Sequence, residues 1–449
     1  MKKLLKYVTQ TPFMKHLKTM IQANDKIELT DTNDALNLLI IAYIKEHFNK
    51  NILIVHHNLY HAQKLYDHCA EMDNDTLFFP QDEFITTDML AMSESLKLER
   101  LDTIQALKND KNHLVITHPT GFIKTMLPKH YHQDIETTYH LEQTVDIEAF
   151  ILKLVHLGYK RTSGVEKPGD FTVRGSLIDI YQPQYEHPIR VDFFDNEIDS
   201  IRVFNVQTQR SIKKINTFTI LPRVEFFYSD EQFKHIERRV LNKLKTLDMS
   251  QEVLTRITNE LEQLRHHENQ DQLARYMSFL GEKLETISDY LDHPIVIYIN
   301  KDYVKKSYHQ IRDDLAQWTV DTQDYPKLGF DFIRDLDTIY HEKSLYLNPF
   351  SVNEKNLKSL ALRAKEANPY EDNLHMLIKD LVKYENYVTV LITINDDTRL
   401  KKMIAELEDH VDIKVLGPND APFSKKINIT KKKKDQLNSL MIKIEKNIN

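Results

Sequence analysis

Short apolar runs alternate with amphipathic stretches over residues 1–126 of this 449-residue chain. Residues 51–55 and 113–117 are typical of strands buried on both faces, whereas 59–70 and 95–107 space their apolar residues as helices do. Strands that alternate with helices form parallel sheets, because each crossover helix returns the chain to the same end of the sheet. The pattern therefore predicts an α/β core built on a doubly wound parallel sheet.

The spacing changes in the middle of the chain. Residues 145–157 form one helical pattern, which Gly158 ends. Residues 171–204 then alternate as antiparallel strands do, with Asp195-Asn196-Glu197 as a polar hairpin turn. These features predict a compact α+β insert within the core.

We expect four parts along the chain. They are the first part of the α/β core (1–126), the inserted α+β domain (127–214), the second part of the core with long helices (215–344), and a small C-terminal α/β domain with a lysine-rich tail (345–449).

Composition excludes several classes of protein. Cys69 is the only cysteine, so the chain has no intramolecular disulfide and fits a reducing compartment. The longest apolar run is far shorter than the roughly 20 residues that cross a bilayer, so we expect a cytoplasmic protein with no membrane contact. With 60 Lys and Arg against 67 Asp and Glu, the net charge is -7, which argues against a bulk polyanion binder.

Three stretches carry the most specific signal. They read GYKR at 158–161, PGDFTVRGSLIDIY at 168–181 and RVDFFDNEIDSIR at 190–202. Their order and spacing resemble the UvrA-binding domain shared by UvrB and the bacterial transcription-repair coupling factor (Mfd) family, and residues 204–211 are closer to the latter. The resemblance implies the N-terminal part of such a factor: a UvrB-like, degenerate P-loop (RecA-like) core split by the insert, without the RNA-polymerase-binding and translocase domains.

The resemblance places UvrA-binding residues at Arg161 and Arg174, and we add Arg202 on the following strand. Arginine on a strand suits bidentate capture of carboxylates in a protein interface. The UvrB branch often has Arg-x-Arg-Gly where this chain has Thr172-Val173-Arg174-Gly175, so UvrA affinity is expected to be lower here. The alternative is that these arginines form surface ion pairs, which contribute little.

The resemblance also predicts a nucleotide site that has lost its chemistry. A phosphate loop needs glycines, a lysine for the phosphates and a hydroxyl for Mg²⁺. The matching loop has Asp31 and Asn33 but no glycine, Asp34 in place of the lysine, and Ala35 in place of the hydroxyl. Where UvrB has the acidic pair that holds the metal, this chain has Asn300 and Lys301.

We expect no catalytic residues, no cofactor and no metal site. The histidine pairs His56-His57, His130/His132 and His266-His267 have no metal-site spacing. The run 431–434 is either a solvated tail or a weak DNA contact.

The predicted function is a non-enzymatic adaptor for nucleotide excision repair that recruits UvrA. RNA polymerase is expected to be contacted only through domains absent from this chain, which is either a truncated product or an excerpt of a larger protein. Two alternatives remain: an active UvrB-like DNA-dependent ATPase or helicase subunit, and a decayed fragment without its partner.

Overall fold

The computed structural model describes residues 12–82, 93–109, 111–133, 135–322, 325–339, 341–350, 357–362, 373–384, 390–394, 397–410, 413–416 and 427–431. The α-helices are α1 (Pro12–Ala23), α2 (Asp34–His47), α3 (Leu59–Ala70), α4 (Glu94–Ala106), α5 (Pro119–Ile123), α6 (Lys129–Gln133), α7 (Ile147–His156), α8 (Asp230–Leu244), α9 (Gln251–Arg265), α10 (Lys301–Asp321), α11 (Leu374–Tyr384) and α12 (Asp397–Glu408). The strands are β1 (Lys26–Thr30), β2 (Ile52–Val55), β3 (Thr76–Phe79), β4 (Leu114–Thr117), β5 (Thr137–His140), β6 (Lys160–Arg161), β7 (Asp170–Arg174), β8 (Leu177–Ile180), β9 (Ile189–Phe194), β10 (Glu197–Phe204), β11 (Ser211–Ile215), β12 (Thr217–Ile220), β13 (Ile295–Ile299), β14 (Lys343–Leu347), β15 (Lys358–Ala361), β16 (Val390–Ile394), β17 (Ile413–Leu416) and β18 (Ile427–Lys431).

A seven-stranded parallel sheet forms the core, in the order β15-β1-β14-β13-β2-β4-β3. Its central strands are short apolar runs, and every residue of β2 and β13 is buried. Parallel sheets need such strands because helices cover both of their faces. The predicted α/β class, with a separate sheet inserted into the core, is confirmed.

Alternate residues of the core strands enter two different hydrophobic clusters. Ile52 and Ile54 pack on the face that α1, α2 and α3 cover, whereas Leu53 and Val55 pack on the face of α4, α5 and α10. This is the two-residue period of a strand that is buried on both sides. The core residues therefore fix which face each helix covers.

The core sheet extends past the domain boundary that we drew after residue 344. Strand β14 (Lys343–Leu347) crosses that boundary and pairs with β1 and β13, and β15 pairs with the far side of β1. A strand paired on both sides cannot be divided between two domains. We therefore propose that the C-terminal unit begins after residue 362.

The insert is a six-stranded sheet in the order β11-β10-β9-β8-β7-β6, antiparallel except for the β6–β7 pair. Helix α7 packs on one face through Phe150 and Leu154. The predicted hairpin joins β9 and β10, and Asp195 in its turn has φ +56. Strand β12 pairs with β5 and packs in the same cluster, so the insert continues beyond residue 214.

The helices α8 and α9 and the 3-10 helix Ala274–Phe279 follow the insert and pack around one aromatic-rich cluster. Farther along, β16, β18 and β17 form a small three-stranded parallel sheet. Residues 432–449, which hold most of the lysine-rich tail, lie outside the described residues. Within the described part of the chain, no helix is both long and apolar enough to cross a membrane.

A buried ion pair joins the insert to the core sheet. Arg100 on α4 donates from Nε and Nη2 to the two carboxylate oxygens of Glu225, each at 2.8 Å, and from Nη1 to the Pro80 carbonyl at 2.9 Å. Lys124 Nζ lies 3.3 Å from the same carboxylate. Burial alone raises the pKa of Glu225, but the charges of Arg100 and Lys124 outweigh it and hold that pKa far below its usual range.

The helices α8 and α9 and the 3-10 helix Ala274–Phe279, together called the helical part, are attached at the same place. The backbone N–H of Glu225 donates to Asp271 Oδ1 at 2.9 Å, and Lys97 on α4 donates to Asp271 Oδ2 at 2.8 Å. Glu225 follows the last strand of the insert, and Asp271 follows α9. Helix α4 thus anchors the core sheet, the end of the insert and the helical part together.

The Glu225→Gln variant is expected to lower the free energy of unfolding by about 3 kcal/mol or more, because it leaves the buried Arg100 guanidinium without a counter-charge. The matched control is Glu342→Gln, which changes the exposed contacts with Lys50 and His293 and is expected to change that free energy by less than about 1 kcal/mol. Urea denaturation of both variants measures the difference. Equal effects would show that the buried pair is not an anchor.

His118 makes stability depend on pH. Its Nε2 accepts a hydrogen bond from the Gln81 N–H at 3.0 Å, and burial lowers its pKa to about 4. An unfolded histidine takes up a proton near pH 6.5, so the unfolded chain binds more protons between about pH 6.5 and 4. The stability that the neutral, buried His118 confers is fully present above about pH 6.5. As the pH falls, the free energy of unfolding decreases by up to about 3 kcal/mol.

The His118→Asn variant is therefore expected to lose stability less steeply than the wild type between about pH 7 and 5, as measured by urea denaturation. His266→Asn, at an exposed position, is the control and is expected to follow the wild type. The prediction is wrong if His118→Asn and the wild type have parallel pH profiles.

Candidate functional site

The inserted sheet has one face buried under α7 and one face that carries charge. Ile178, Val191 and Phe193 point into the cluster with α7, so the residues between them point outward. The register aligns Thr172, Asp179, Arg190 and Arg202 across four neighbouring strands. We call this side of the sheet the outer face.

Asp179 organises the charges of the outer face. Its side chain is 2% exposed. It accepts from Arg190 Nε at 2.7 Å, from Arg190 Nη2 at 2.8 Å and from Arg174 Nη2 at 2.8 Å. The hydrogen bond to Asp179 also raises the pKa of Arg190, which stacks 4.3 Å from the centre of the Phe204 ring. Arg190 is thereby held in the sheet as a structural residue.

Arg174 is the more accessible of the two predicted arginines, Arg174 and Arg202, for which a partner is observed. Its side chain is 53% exposed, and the contact with Asp179 uses only one of its nitrogens. Arginine has five N–H donors, so several remain for an external carboxylate. Asp179 therefore orients Arg174 and leaves several of its N–H donors available to a partner.

Arg202 lies on the same face, three strands away. Its Nη2 is 3.3 Å from Asp192 Oδ2, and the Ser176 hydroxyl contacts the other oxygen of that carboxylate. Strands are spaced by about 4.8 Å, so Arg174 and Arg202 are roughly 14 Å apart across the sheet. Half-buried and paired, Arg202 offers less to a partner than Arg174 does.

Arg161 does not share that face. It lies on the short edge strand β6, where the register aligns it with Phe171, a buried residue of the opposite face. Residues aligned across a strand pair point to the same side of the sheet, so the exposed Arg161 belongs to the edge. The structure thus brings Arg174 and Arg202 onto one face and places Arg161 at its border.

Sequence reasoning missed three residues of the outer face: Asp179, Arg190 and Phe194. The Phe194 ring is 79% exposed, on the strand that also presents Arg190. Exposed aromatic and arginine side chains are the types that dominate binding energy in protein interfaces. The alternation of β9, IRVDFF, contains the signal, since every second residue is charged or aromatic on the outward side.

The two segments of the predicted degenerate nucleotide site meet at the carboxyl edge of the core sheet. The loop after β1 and the end of β13 are separated only by β14. Asn348, which follows β14, connects them: its Nδ2 donates to Glu28 at 2.8 Å and its Oδ1 accepts from the Lys301 N–H at 3.0 Å. The sequence analysis did not identify Asn348, because its role depends on the sheet order.

The loop after β1 caps the N-terminus of helix α2. Asn33 caps the helix, with its side-chain oxygen accepting from the Leu36 N–H at 3.0 Å. Asp34 adds a carboxylate to the first turn, where it pairs with Lys64 at 3.8 Å, and Ala35 follows it in the helix. Asp31 has φ +54 and Thr32 donates to the Asn348 carbonyl at 3.1 Å. Helix N-termini bind phosphate through free N–H groups, and here one is already bonded beside a negative charge.

The end of β13 is closed in a similar way. Asn300 has φ +63, and its N–H donates to the Leu347 carbonyl at 2.8 Å. The Lys301 ammonium lies 4.0 Å from the centre of the Tyr346 ring. Neither Asn300 nor Lys301 supplies a carboxylate, and the positive charge of Lys301 disfavours a divalent cation at this position.

Comparison with known proteins identifies the insert. Residues 138–226 match the UvrB interaction domain. The match begins in β5 and ends just after β12, so the UvrB interaction domain covers the whole inserted sheet and α7.

About two thirds of the chain is similar to transcription-repair-coupling factors. It is 30% identical to the factor of Bacillus subtilis (strain 168) over 295 residues, which are 63% of this chain and 25% of the relative. Identity to the factors of Staphylococcus epidermidis and Staphylococcus aureus (strain MRSA252) is also 30%, over 67% and 68% of this chain and 26% of each relative. The resemblance expected from the sequence is confirmed, and the chain spans about a quarter of the length of these relatives.

The Asp179→Asn variant is expected to destabilise the UvrB interaction domain by about 2 kcal/mol, because charged hydrogen bonds to two arginines are weakened. Asp199→Asn, at an exposed position of β10, is the matched control and is expected to leave stability within about 0.5 kcal/mol. Chemical denaturation of the full chain measures both. Identical midpoints would mean that Asp179 does not organise the outer face.

Proposed function

We propose that this chain is a non-enzymatic adaptor that recruits UvrA through its UvrB interaction domain. The observation that carries the proposal is the outer face, where Arg174 and Phe194 are exposed within the matched domain. The relatives are named transcription-repair-coupling factors. We therefore assign the adaptor to transcription-coupled nucleotide excision repair.

The proposed interface combines Arg174 at its centre, Arg202 on the same face and Arg161 at the neighbouring edge. Asp179 holds the exposed Arg174 side chain, so less side-chain entropy is lost when a partner binds. Complementary acidic groups on UvrA would meet a guanidinium with several unused donors. Phe194 adds an apolar anchor on the same face.

The Arg174→Ala variant is expected to weaken UvrA binding by about thirtyfold, the effect of removing an interface hot spot of about 2 kcal/mol. Arg161→Ala is expected to weaken UvrA binding less, because Arg161 lies at the border of the surface. Arg202→Ala is also expected to weaken it less, because Arg202 is half-buried in an ion pair with Asp192. Arg210→Ala is the matched control, since Arg210 is exposed in the loop after β10 and outside the proposed surface. The dissociation constants are measured by passing the full chain and each variant over surface-immobilised UvrA.

Undiminished binding by the Arg161→Ala/Arg174→Ala double variant would contradict the proposed surface. Absence of binding by the wild-type chain would contradict the adaptor itself and would favour a decayed fragment.

We further propose that the core sheet is a scaffold that binds no nucleotide. At about 4 Å, Asp34 and a phosphate oxygen would repel by about 4 kcal/mol at an effective dielectric constant of 20, where a lysine would attract by as much. The capped N-terminus of α2 and the Asn300-Lys301 pair support the same reading.

Calorimetric titration of the chain with Mg²⁺–ATP is expected to give no binding heat. The Asp34→Ala variant is expected to behave identically, because removing one repulsive charge restores neither the glycine loop nor the lysine. Saturable one-to-one binding by the wild type would instead favour the UvrB-like ATPase.

A further inference from the structure

Three side chains from three elements converge where the UvrB interaction domain meets the helical part. His156 is the last residue of α7, Asp230 is the first residue of α8, and His267 follows α9. Asp230 Oδ1 lies 3.3 Å from His156 Nε2 and 3.0 Å from His267 Nε2. One donor atom from each residue lies within 4.8 Å of the other two, and the imidazole ring centres are 4.3 Å apart.

The two imidazoles differ in exposure, since the His156 side chain is 20% exposed. The His267 side chain is 4% exposed and stacks on Tyr228, with ring centres 4.8 Å apart. The Nε2 atom of His156 is buried and has no hydrogen-bond partner among the described residues, although it points at the Asp230 carboxylate. A buried nitrogen without a hydrogen bond is unfavourable unless something else satisfies it.

Burial lowers the pKa of both His156 and His267, although the neighbouring Asp230 carboxylate raises it. A neutral imidazole offers a nitrogen lone pair, which is the form that binds transition metals.

We propose that His156, Asp230 and His267 bind one divalent transition-metal ion, with Zn²⁺ as the best fit. Two imidazole nitrogens and one carboxylate oxygen are a ligand set that zinc uses, and hard cations such as Mg²⁺ and Ca²⁺ prefer oxygen alone. Zinc bonds of about 2.0–2.1 Å at tetrahedral angles place neighbouring ligand atoms about 3.3 Å apart. The two distances to Asp230 already match that spacing.

The ion would fasten α7 of the UvrB interaction domain to the start of α8 and the end of α9. A hydrogen bond already joins these elements: the Gln270 side-chain amide donates to the His156 carbonyl at 2.9 Å. Asp230 is 61% exposed, so the ion has a path from solvent, and a water molecule can complete its coordination. This position is distinct from the outer face and does not depend on the proposed adaptor role.

The expectation of no metal site rested on the absence of ligands at short spacing along the chain. The three ligands lie far apart along the chain, and only the packing of α7 against α8 and α9 brings them together. The adjacent residue His266 lies outside the cluster, with its Nε2 3.1 Å from Glu262 Oε1.

The test is calorimetric titration of the full, untagged and chelator-treated chain with zinc chloride, with a thermal melt at each end point. The wild type is expected to bind one Zn²⁺ per chain and to melt at a higher temperature when loaded. The Asp230→Asn and His156→Gln variants are expected to bind at least about a hundredfold more weakly. The matched control is His266→Gln, which removes a neighbouring exposed histidine and is expected to bind as the wild type does.

The absence of stoichiometric zinc binding by the wild type would overturn the proposal, whether or not the variants fold. Equal binding by wild type, Asp230→Asn and His156→Gln would overturn it as well, because the ion would then lie elsewhere among the 21 histidines. Co²⁺ substitution gives a second readout, since the absorption spectrum of a tetrahedral site is expected for the wild type and His266→Gln only.

Discussion

The buried pair between Arg100 and Glu225 is the interaction on which the arrangement of the chain depends. It lies between the helix that covers the core sheet and the segment by which the chain leaves the UvrB interaction domain. Both charges are almost fully enclosed, so losing either one leaves the other buried without its hydrogen-bonded partner. With Lys97 and Asp271 it holds three parts of the molecule at one point. This buried cluster fixes the end of the domain that carries the outer face.

Hydrogen bonding distinguishes the outer face of the inserted sheet from the carboxyl edge of the core sheet. On the outer face, a buried aspartate holds an arginine while leaving most of its donors exposed, which prepares the surface for a partner. At the carboxyl edge of the core sheet, hydrogen bonds close the chain on itself through Asn33 and Asn348. The outer face keeps hydrogen-bond donors exposed, whereas Asn33 and Asn348 at the carboxyl edge use their side chains in internal hydrogen bonds. An adaptor on a nucleotide-free scaffold accounts for both.

Local patterns in the sequence predicted much of the fold but not its long-range pairings. The buried runs at β2, β4 and β13 and the hairpin after Phe194 follow from apolar spacing and turn residues alone. Strand β14 was missed, and its place between β1 and β13 depends on pairing that no local pattern encodes. The outer face was found through Arg174 and Arg202, whereas Asp179 and the different side of Arg161 required the strand register. The cluster of His156, Asp230 and His267 required helix packing.

Hydrogen exchange of the full chain with and without UvrA tests the central claim most directly. The account predicts slower exchange confined to the UvrB interaction domain, strongest at β7 and the hairpin of β9 and β10, with the core sheet unchanged. Protection at the carboxyl edge of the core sheet, or no protection anywhere at saturating UvrA, would contradict it.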